Sequence, residues 1–221
     1  MTKHLKIYIF VLFIILLFIF ILGIIINYFT KKNKKNKKNE IYYIENFFSK
    51  NEFKTILNTI NSHTNKEKPI NESFRLTYPI SSKIIENIFY SDKTLNKIKN
   101  ITNNNQIYKS IFPIECRIYP LNSKGMKCHK DLLLYQLPQY EAVFTIKNTS
   151  DSYTTWYDIN NNRQHKIYTK PNSLLLVKAN SNIHCVSPIT KGSRSIIKLI
   201  YTQTKNIHKN YKKEINRFNK T

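Results

Sequence analysis

Four residues in the C-terminal half of the chain combine metal-ligand side chains with a carboxylate-binding side chain. His129 and Asp131 form a His-X-Asp pair, His184 follows later in the chain, and Arg194 lies ten residues beyond His184. Two imidazoles and one carboxylate can hold one face of a ferrous ion and leave the opposite face open for a cosubstrate and dioxygen. The guanidinium offers a planar pair of donors to a carboxylate, as 2-oxoglutarate chemistry requires.

The spacing of these residues constrains the elements that carry them. Residues i and i+2 of a strand project from the same face, so an extended segment would let one metal contact both His129 and Asp131. His184 would then come from a neighbouring strand. Because an isolated His-X-Asp often arises by chance, the residues alone leave open an iron site, a zinc or structural metal, and no metal. We interpret the remaining histidines as bystanders: His4, His63, His165 and His208.

The first part of the soluble region has helical patterns. The predicted elements are a strand at Ile41–Ile44, a helix at Asn51–Ile60, a loop at 61–72 and a second helical region at about 82–101. Ser49 and Glu52 have the spacing of a capping box at the start of the first helix. The apolar residues at helical spacing in these segments predict the core.

From residue 107 onward the sequence has the alternation and turn signals of short strands. The predicted strands are Glu115–Pro120, Glu141–Lys147, Tyr153–Ile159, His165–Thr169, Ser173–Lys178, Ile183–Ile189 and Arg194–Thr202. Short strands at this spacing indicate a sandwich or barrel. The predicted fold class is therefore mainly β with supporting helices (α+β). Phe144, Trp156 and Tyr157 could shape a substrate pocket, although aromatic residues in strands are more often core.

The N-terminal segment predicts a membrane anchor. Ile7 to Ile26 contains no charged residue and would span roughly 30 Å as a helix, the hydrocarbon thickness of a bilayer. We prefer an uncleaved anchor to a signal peptide because the run is long and no small-residue cleavage site follows it. Six lysines between Lys31 and Lys38 favour the cytosolic side for the C-terminal domain. The predicted layout is a flank at 1–6, a transmembrane anchor at 7–29, a Lys/Asn-rich linker at 30–40, a domain at 41–204 and a basic tail at 205–221.

The chain is strongly basic. Its 36 Lys and Arg residues exceed the 13 Asp and Glu residues, which gives a net charge of +23 at pH 7. Such a charge favours anionic partners. However, the chain is also rich in Lys, Asn and Ile, as AT-rich coding sequence produces, and it has no element that alternates basic and aromatic residues. We therefore do not expect nucleic acid to be a partner.

The residues around the His-X-Asp pair resemble a known family. In order and spacing, Arg117-Ile118-Tyr119, then Gly125, then His129-Lys130-Asp131 resemble the lead-in strand, glycine and H-X-D motif of Fe(II)/2-oxoglutarate-dependent dioxygenases of the prolyl-4-hydroxylase-like branch. The segment from Ile44 to Ser49, followed by a helix, resembles the family's entry segment. The resemblance extends from about Ile41 to Thr202.

This resemblance implies a double-stranded β-helix (jelly roll) with supporting helices. It also implies that His129, Asp131 and His184 bind Fe(2+), that Arg194 pairs with the distal carboxylate of 2-oxoglutarate, and that the Tyr119 hydroxyl helps to hold this cosubstrate. Two departures are visible in the sequence. Arg194 stands where prolyl hydroxylases usually have Lys, and Ile at position 196 means that the Arg-X-Ser pair of some relatives is absent.

The function implied is that of a membrane-anchored enzyme. It would use dioxygen and 2-oxoglutarate to hydroxylate a protein side chain, with proline or lysine as the family-level expectation, and release succinate and CO2. L-ascorbate would be an accessory reductant. The alternative is a catalytically inactive jelly-roll module, tethered to a membrane, that docks to anionic lipid or nucleic acid through its basic surface.

The three cysteines are too few for a disulfide framework. Cys128 and Cys185 adjoin the two candidate metal histidines, so strand alternation turns both to the outer face. In a jelly roll the strands that carry these histidines are neighbours, and the two sulfurs could lie close enough to bridge. A reducing cytosol would keep such a pair reduced, and we therefore expect free thiols.

Overall fold

The structure is a computed structural model that describes residues 15–25, 40–72, 74–158, 161–216 and 218. The chain divides into two compact units, residues 1–38 and 39–221. In the first unit, residues 15–25 are helical. None of the helices in the described ranges is both long and apolar enough to cross a bilayer. The rest of the predicted anchor, residues 7–14 and 26–29, lies outside these ranges, as does most of the predicted linker.

The helices of the second unit begin at hydrogen-bonded caps. They are α1 (Lys50–Thr64), α2 (Lys83–Phe89), α3 (Asp92–Thr102) and α4 (Lys209–Ile215). The predicted capping box is confirmed at α1, where the Ser49 side chain accepts from the Glu52 backbone and the Glu52 carboxylate accepts from the Ser49 N–H. At α2 and α3 the side chains of Ser82 and Ser91 accept from the backbone N–H groups of Ile85 and Thr94. The caps satisfy backbone donors that have no partner within the helix.

The strands follow the predicted order, with additions in the first half of the domain. They are β1 (Ile41–Ile44), β2 (Ile70–Glu72), β3 (Arg75–Ile80), β4 (Tyr108–Lys109), β5 (Ile114–Tyr119), β6 (Met126–His129), β7 (Tyr140–Asn148), β8 (Thr154–Tyr157), β9 (Gln164–Ile167), β10 (Ser173–Lys178), β11 (His184–Val186) and β12 (Arg194–Thr202). The predicted loop at 61–72 is wrong at both ends, because α1 continues to Thr64 and β2 begins at Ile70. The second helical region is interrupted at Tyr90 and Ser91, where the Ser91 cap starts a new helix.

The strands of the described ranges form two sheets. The larger sheet has eight strands in the order β1-β10-β7-β12-β5-β3-β2, with β4 paired to β12, and the smaller has four in the order β6-β11-β8-β9. Each of these strand pairs is antiparallel. This arrangement is the predicted jelly roll in an α+β domain.

Strand alternation gives the larger sheet two buried faces. On β10, Leu174 and Leu176 join the core that the helices cover, whereas Leu175 and Val177 line a cavity on the opposite face. Successive strand residues point to opposite sides, so the same strands support the helical core and form the wall of the cavity. Most of the predicted helical stripes are part of this core, which includes the fully or nearly buried residues Ile56, Ile60, Ile85, Phe89 and Ile98; the prediction is wrong for Ile84, which is 52% exposed.

Phe144 lies at the centre of the helix-side core and not in a substrate pocket. Its ring is fully buried and makes edge contacts with Phe48 and Phe89, each at a centroid distance of 5.3 Å. We expect Phe144→Ala to lower the free energy of unfolding by about 3–5 kcal/mol, because it removes apolar contacts and leaves a cavity. Chemical denaturation measures this change. The control is Ile111→Ala at a side chain that is 71% exposed, for which a change within about 0.5 kcal/mol is expected.

Candidate active site

The jelly roll brings the two candidate histidines together on neighbouring strands of the smaller sheet. His129 is the last residue of β6, His184 is the first residue of β11, and the two are directly paired in register. Paired residues of antiparallel strands project from the same face of a sheet. Their ring centroids are 4.5 Å apart.

Asp131 completes the group from beyond the end of β6. The prediction that it shares a strand with His129 is wrong, because regular pairing of β6 ends at His129. Its carboxylate nevertheless contacts both imidazoles, with Oδ1 at 3.6 Å from Nε2 of His129 and Oδ2 at 3.5 Å from Nε2 of His184. One ligand atom from each of the three residues lies within 4.8 Å of the other two. This spacing fits three ligands on one face of a metal ion.

The backbone holds both histidines in the tautomer that a metal requires. Nδ1 of His129 lies 2.8 Å from the carbonyl oxygen of Lys127, and Nδ1 of His184 lies 3.3 Å from that of Asn182. A carbonyl oxygen can only accept, so each Nδ1 carries the proton and donates it. In the neutral form of each ring, Nε2 then carries a lone pair, and a neutral imidazole of this kind is a metal ligand.

The charges around the three residues also suit a cation. Hydrogen bonding with Asp131 raises the pKa of His129, whereas burial lowers the pKa of His184. Burial alone would raise the pKa of Asp131, but hydrogen bonding with His129 and the charge of Lys198 outweigh it and lower the pKa. The two lowered pKa values favour an ionised Asp131 carboxylate and a neutral His184 imidazole. Metal binding requires deprotonated ligands.

Arg194 and Tyr119 lie together at another part of the same cavity. They are cross-strand partners on β12 and β5, and the guanidinium carbon of Arg194 is 5.0 Å from the centroid of the Tyr119 ring. Arg194 is 5% exposed, and its Nε has no hydrogen-bond partner among the residues that the structure describes. A buried donor without a partner is unfavourable unless a ligand satisfies it.

Further arginines strengthen the positive potential around Tyr119. Burial raises the pKa of a phenol, but the charges of Arg117, Arg75 and Arg194 outweigh this effect and lower the pKa of Tyr119. Arg117 forms a buried ion pair with Glu115. Sequence reasoning assigned no role to Arg75 or Arg117. The position of Arg117, two residues before Tyr119 on one strand, was the signal that could have placed its side chain in the cavity.

One cavity contacts both the metal-ligand candidates Asp131 and His184 and the Arg194–Tyr119 pair. It lies between the sheets, and its lining includes Asp131, His184, Tyr119, Arg194, Arg117 and Lys198. The rest of the wall is largely apolar, with Val143, Leu175, Val177 and Ile196 among its residues. An elongated anion with a metal-binding group at one end and a carboxylate at the other would fit this distribution of side chains.

Comparisons with known proteins agree on the architecture. No protein-family model matches the chain, and no curated protein sequence matches it. Among solved structures, an oxidoreductase of the 2OG-Fe(II) oxygenase family from Burkholderia pseudomallei matches with a TM-score of 0.63 and 9% identity, over 76% of this chain and 86% of that chain. A Trichoplax adhaerens prolyl hydroxylase in complex with a hypoxia inducible factor peptide fragment matches with a TM-score of 0.60 and 16% identity, over 75% and 84%. A viral collagen prolyl hydroxylase from Paramecium Bursaria Chlorella virus-1, in its 2OG complex, matches with a TM-score of 0.54 and 13% identity, over 74% and 96%.

The chain has the fold and the His-X-Asp…His triad of the Fe(II)/2-oxoglutarate oxygenases. The predicted resemblance is confirmed at this level.

Strand alternation turns Cys128 and Cys185 to the face of β6 and β11 away from the metal-ligand candidates, as predicted. The prediction that both are free thiols is wrong. The two residues form a disulfide, with their Cα atoms 4.2 Å apart. Each cysteine is one residue from the paired His129 and His184, at the point where the register of β6 and β11 shifts. Cys116 is a free, buried thiol.

Trp156 is a further neighbour of the triad in the oxygenase fold. It pairs in register with His184 on one side and with His165 on the other, and its ring stacks on His165 at 5.1 Å with an interplanar angle of 8°. His165 is therefore not an isolated bystander, although it is not one of the grouped metal-ligand candidates. The alignment of His184, Trp156 and His165 across three neighbouring strands depends on strand register, which the spacing of the histidines in the sequence did not reveal.

We expect His129→Ala and Asp131→Ala each to abolish stable binding of Fe(II) or Mn(II) while the domain stays folded. Both side chains are part of the triad and lie outside the hydrophobic clusters. Metal content after gel filtration, with circular dichroism as the folding measurement, tests this expectation. His63→Ala is the matched control, because His63 contacts the Pro79 carbonyl and is absent from the triad. Full metal content in either triad variant would contradict the assignment.

Proposed function

We propose that this protein is an Fe(II)- and 2-oxoglutarate-dependent oxygenase that hydroxylates its substrate. One observation carries the proposal: a buried Arg194–Tyr119 pair lines the same cavity as Asp131 and His184, two members of a His-X-Asp…His triad that His129 completes. A structural zinc site would account for the triad, but it would not need a buried guanidinium in the adjoining cavity. Bound iron and 2-oxoglutarate would supply the oxidising chemistry, with succinate and CO2 as the coproducts.

The residues of this chain would bind and orient these groups. His129, Asp131 and His184 would hold the iron through the lone pairs described above. Arg194 would donate to the distal carboxylate of 2-oxoglutarate, and the Tyr119 hydroxyl would donate to the same end of the molecule. The largely apolar wall lowers the local dielectric constant, which strengthens these charge-assisted contacts.

Lys198 is a weaker candidate for binding that carboxylate. It lines the same cavity, but its ammonium group lies 3.0 Å from Oε2 of Glu141, which is itself buried. Its charge is therefore already paired, whereas the Nε of Arg194 has no partner among the described residues. We assign carboxylate binding to Arg194, and we assign Lys198 and Glu141 to the wall beside the triad.

A second cavity adjoins the triad and would receive the substrate. It is open to the surface and is lined by Phe112, His129, Lys130, Asp131, Leu132, Leu134, Glu141, Lys198 and Glu214. Asp131, Glu141 and Lys198 line both cavities. The metal would therefore lie where the two cavities meet, with the cosubstrate on one side and the reacting carbon on the other.

We propose a protein side chain, proline or lysine, as the substrate. The second cavity has a mixed lining, with apolar Phe112 and Leu134 and exposed Lys130 and Leu132. This lining suits the side chain of a polypeptide lying across the surface. The similar Trichoplax protein is described with a peptide fragment bound, and the viral one as a collagen prolyl hydroxylase.

The alternative is a binding module without turnover that uses its basic surface. The net charge of +23 favours anionic lipid or nucleic acid as its ligand. The intact triad and the buried Arg194 favour the enzyme, because a module that only docks through its surface needs neither. Succinate release upon addition of Fe(II), 2-oxoglutarate and L-ascorbate to residues 39–221 would separate the two functions. Cellular peptides would then be incubated with the enzyme, and mass spectrometry would identify the substrate by the gain of one oxygen atom.

We also propose that residues 7–29 anchor the protein in a membrane. The uncharged apolar run supports the anchor, and the lysines that follow it support a cytosolic domain. The Cys128–Cys185 disulfide favours the opposite side, because disulfides persist in oxidising compartments. Protease protection of the native membrane-bound protein would discriminate between the two orientations.

We expect Arg194→Ala to raise the half-saturating 2-oxoglutarate concentration by roughly 30-fold or more, since loss of a partner for a buried charge costs about 2–5 kcal/mol. Arg194→Lys should have a smaller effect, because an ammonium group can still contact a carboxylate. Titration of succinate formation against 2-oxoglutarate measures both. The control is Arg163→Ala on an exposed turn. Unchanged half-saturation in Arg194→Ala would move carboxylate binding to another residue.

A further inference from the structure

The Cys128–Cys185 disulfide connects the two strands that carry the metal histidines. Cys128 immediately precedes His129, and Cys185 immediately follows His184. We propose that this disulfide is a positioning device for the metal site, and that its reduction weakens metal binding. The proposal rests on the assignment of His129, Asp131 and His184 as metal ligands.

The strand pairing that the disulfide reinforces is short. β6 has four residues and β11 has three, and their register shifts between His184 and Val186. The paired positions in this ladder are His184 with His129 and Val186 with Met126. Few backbone hydrogen bonds therefore fix the distance between the two imidazoles. The disulfide adds a covalent connection one residue away from each.

The disulfide can act only through position. Strand alternation turns the side chains of Cys128 and Cys185 away from the face that carries His129 and His184, so the sulfurs cannot replace a metal ligand. Cys128 is exposed, which makes the bond accessible to thiols in solution. Reduction would leave the fold's larger sheet untouched, because neither β6 nor β11 belongs to it.

The chemistry of the change is ordinary thiol–disulfide exchange. A reduced thiol such as glutathione supplies two electrons per disulfide: two glutathione molecules are oxidised to one glutathione disulfide, the Cys128–Cys185 bond breaks, and two protons complete the new thiols. In the reduced protein the two strands can separate or slip, so the three ligand atoms spend less time within bonding distance of one ion. The free energy of metal binding would then be less favourable, because binding would have to restore the arrangement of the three ligands.

Thermodynamic linkage makes the proposal quantitative. If the disulfide strengthens metal binding by some factor, then the bound metal must stabilise the disulfide against reduction by the same factor. A disulfide that only stabilised the whole domain would leave the metal affinity of the folded protein unchanged. We expect a factor of roughly 10 or more, which is the effect that residues supporting metal ligands commonly have on metal affinity.

The experiment uses Mn(II), because this ion prefers oxygen and nitrogen ligands and binds thiols weakly. The dissociation constant of Mn(II) is measured by electron paramagnetic resonance of the free ion, for the oxidised protein and for protein reduced in glutathione. The fraction of Cys128–Cys185 disulfide is measured across glutathione redox buffers with and without Mn(II), by acid quenching, alkylation and mass spectrometry. The expected result is weaker binding after reduction and a matching shift of the redox equilibrium with Mn(II).

The controls separate position from folding. Cys116→Ala removes the buried free thiol and keeps the disulfide, so its redox dependence should match that of the unmodified chain. Cys128→Ala with Cys185→Ala should bind Mn(II) as weakly as the reduced protein and should not respond to glutathione. Circular dichroism of the reduced, unmodified protein supplies the folding measurement even if the double variant does not fold. Equal Mn(II) affinity in the oxidised and reduced forms would overturn only the role proposed for the disulfide. No Mn(II) binding in either form would overturn both that role and the proposed oxygenase function.

Discussion

The antiparallel pairing of His129 with His184 is the constraint on which the rest of the site depends. It makes two residues that are far apart in sequence into neighbours on one face of the smaller sheet. Backbone carbonyls two residues before each histidine then direct both Nε2 atoms towards Asp131. Gly125 permits this pairing, because it has a positive φ and a Cβ there would collide with the backbone of Val186 and Ser187.

The larger sheet supplies the residues proposed to bind the cosubstrate, because successive side chains of its strands point alternately into the cavity and into the core. On β12, Ile197 and Leu199 pack in the helix-side core, whereas Arg194, Ile196 and Lys198 line the cavity. The same strand therefore contributes to folding stability on one face and to ligand recognition on the other. The cost of burying Arg194 is offset by Tyr119 and by the packing of the sheet around both side chains.

Much of this arrangement could be predicted because it depends on local patterns. Alternation predicted β7, β10 and β12, and the Ser49–Glu52 spacing predicted the cap of α1. Other features depend on long-range pairing. β3 has Pro79 within its six residues and an irregular pattern, so only its register with β5 makes it a strand. The place of Trp156 beside His184 likewise requires the register of β8, and the oxidation state of Cys128 depends on the surroundings as well as on spacing.

Trp156 is the single tryptophan of the chain, and it stands across from a metal-ligand candidate. Indole emission is sensitive to ions and dipoles within a few ångströms of the ring. The protein therefore carries an optical reporter in its own sheet, on the strand next to His184. Events at the triad could be followed in unlabelled protein, in real time, without any turnover.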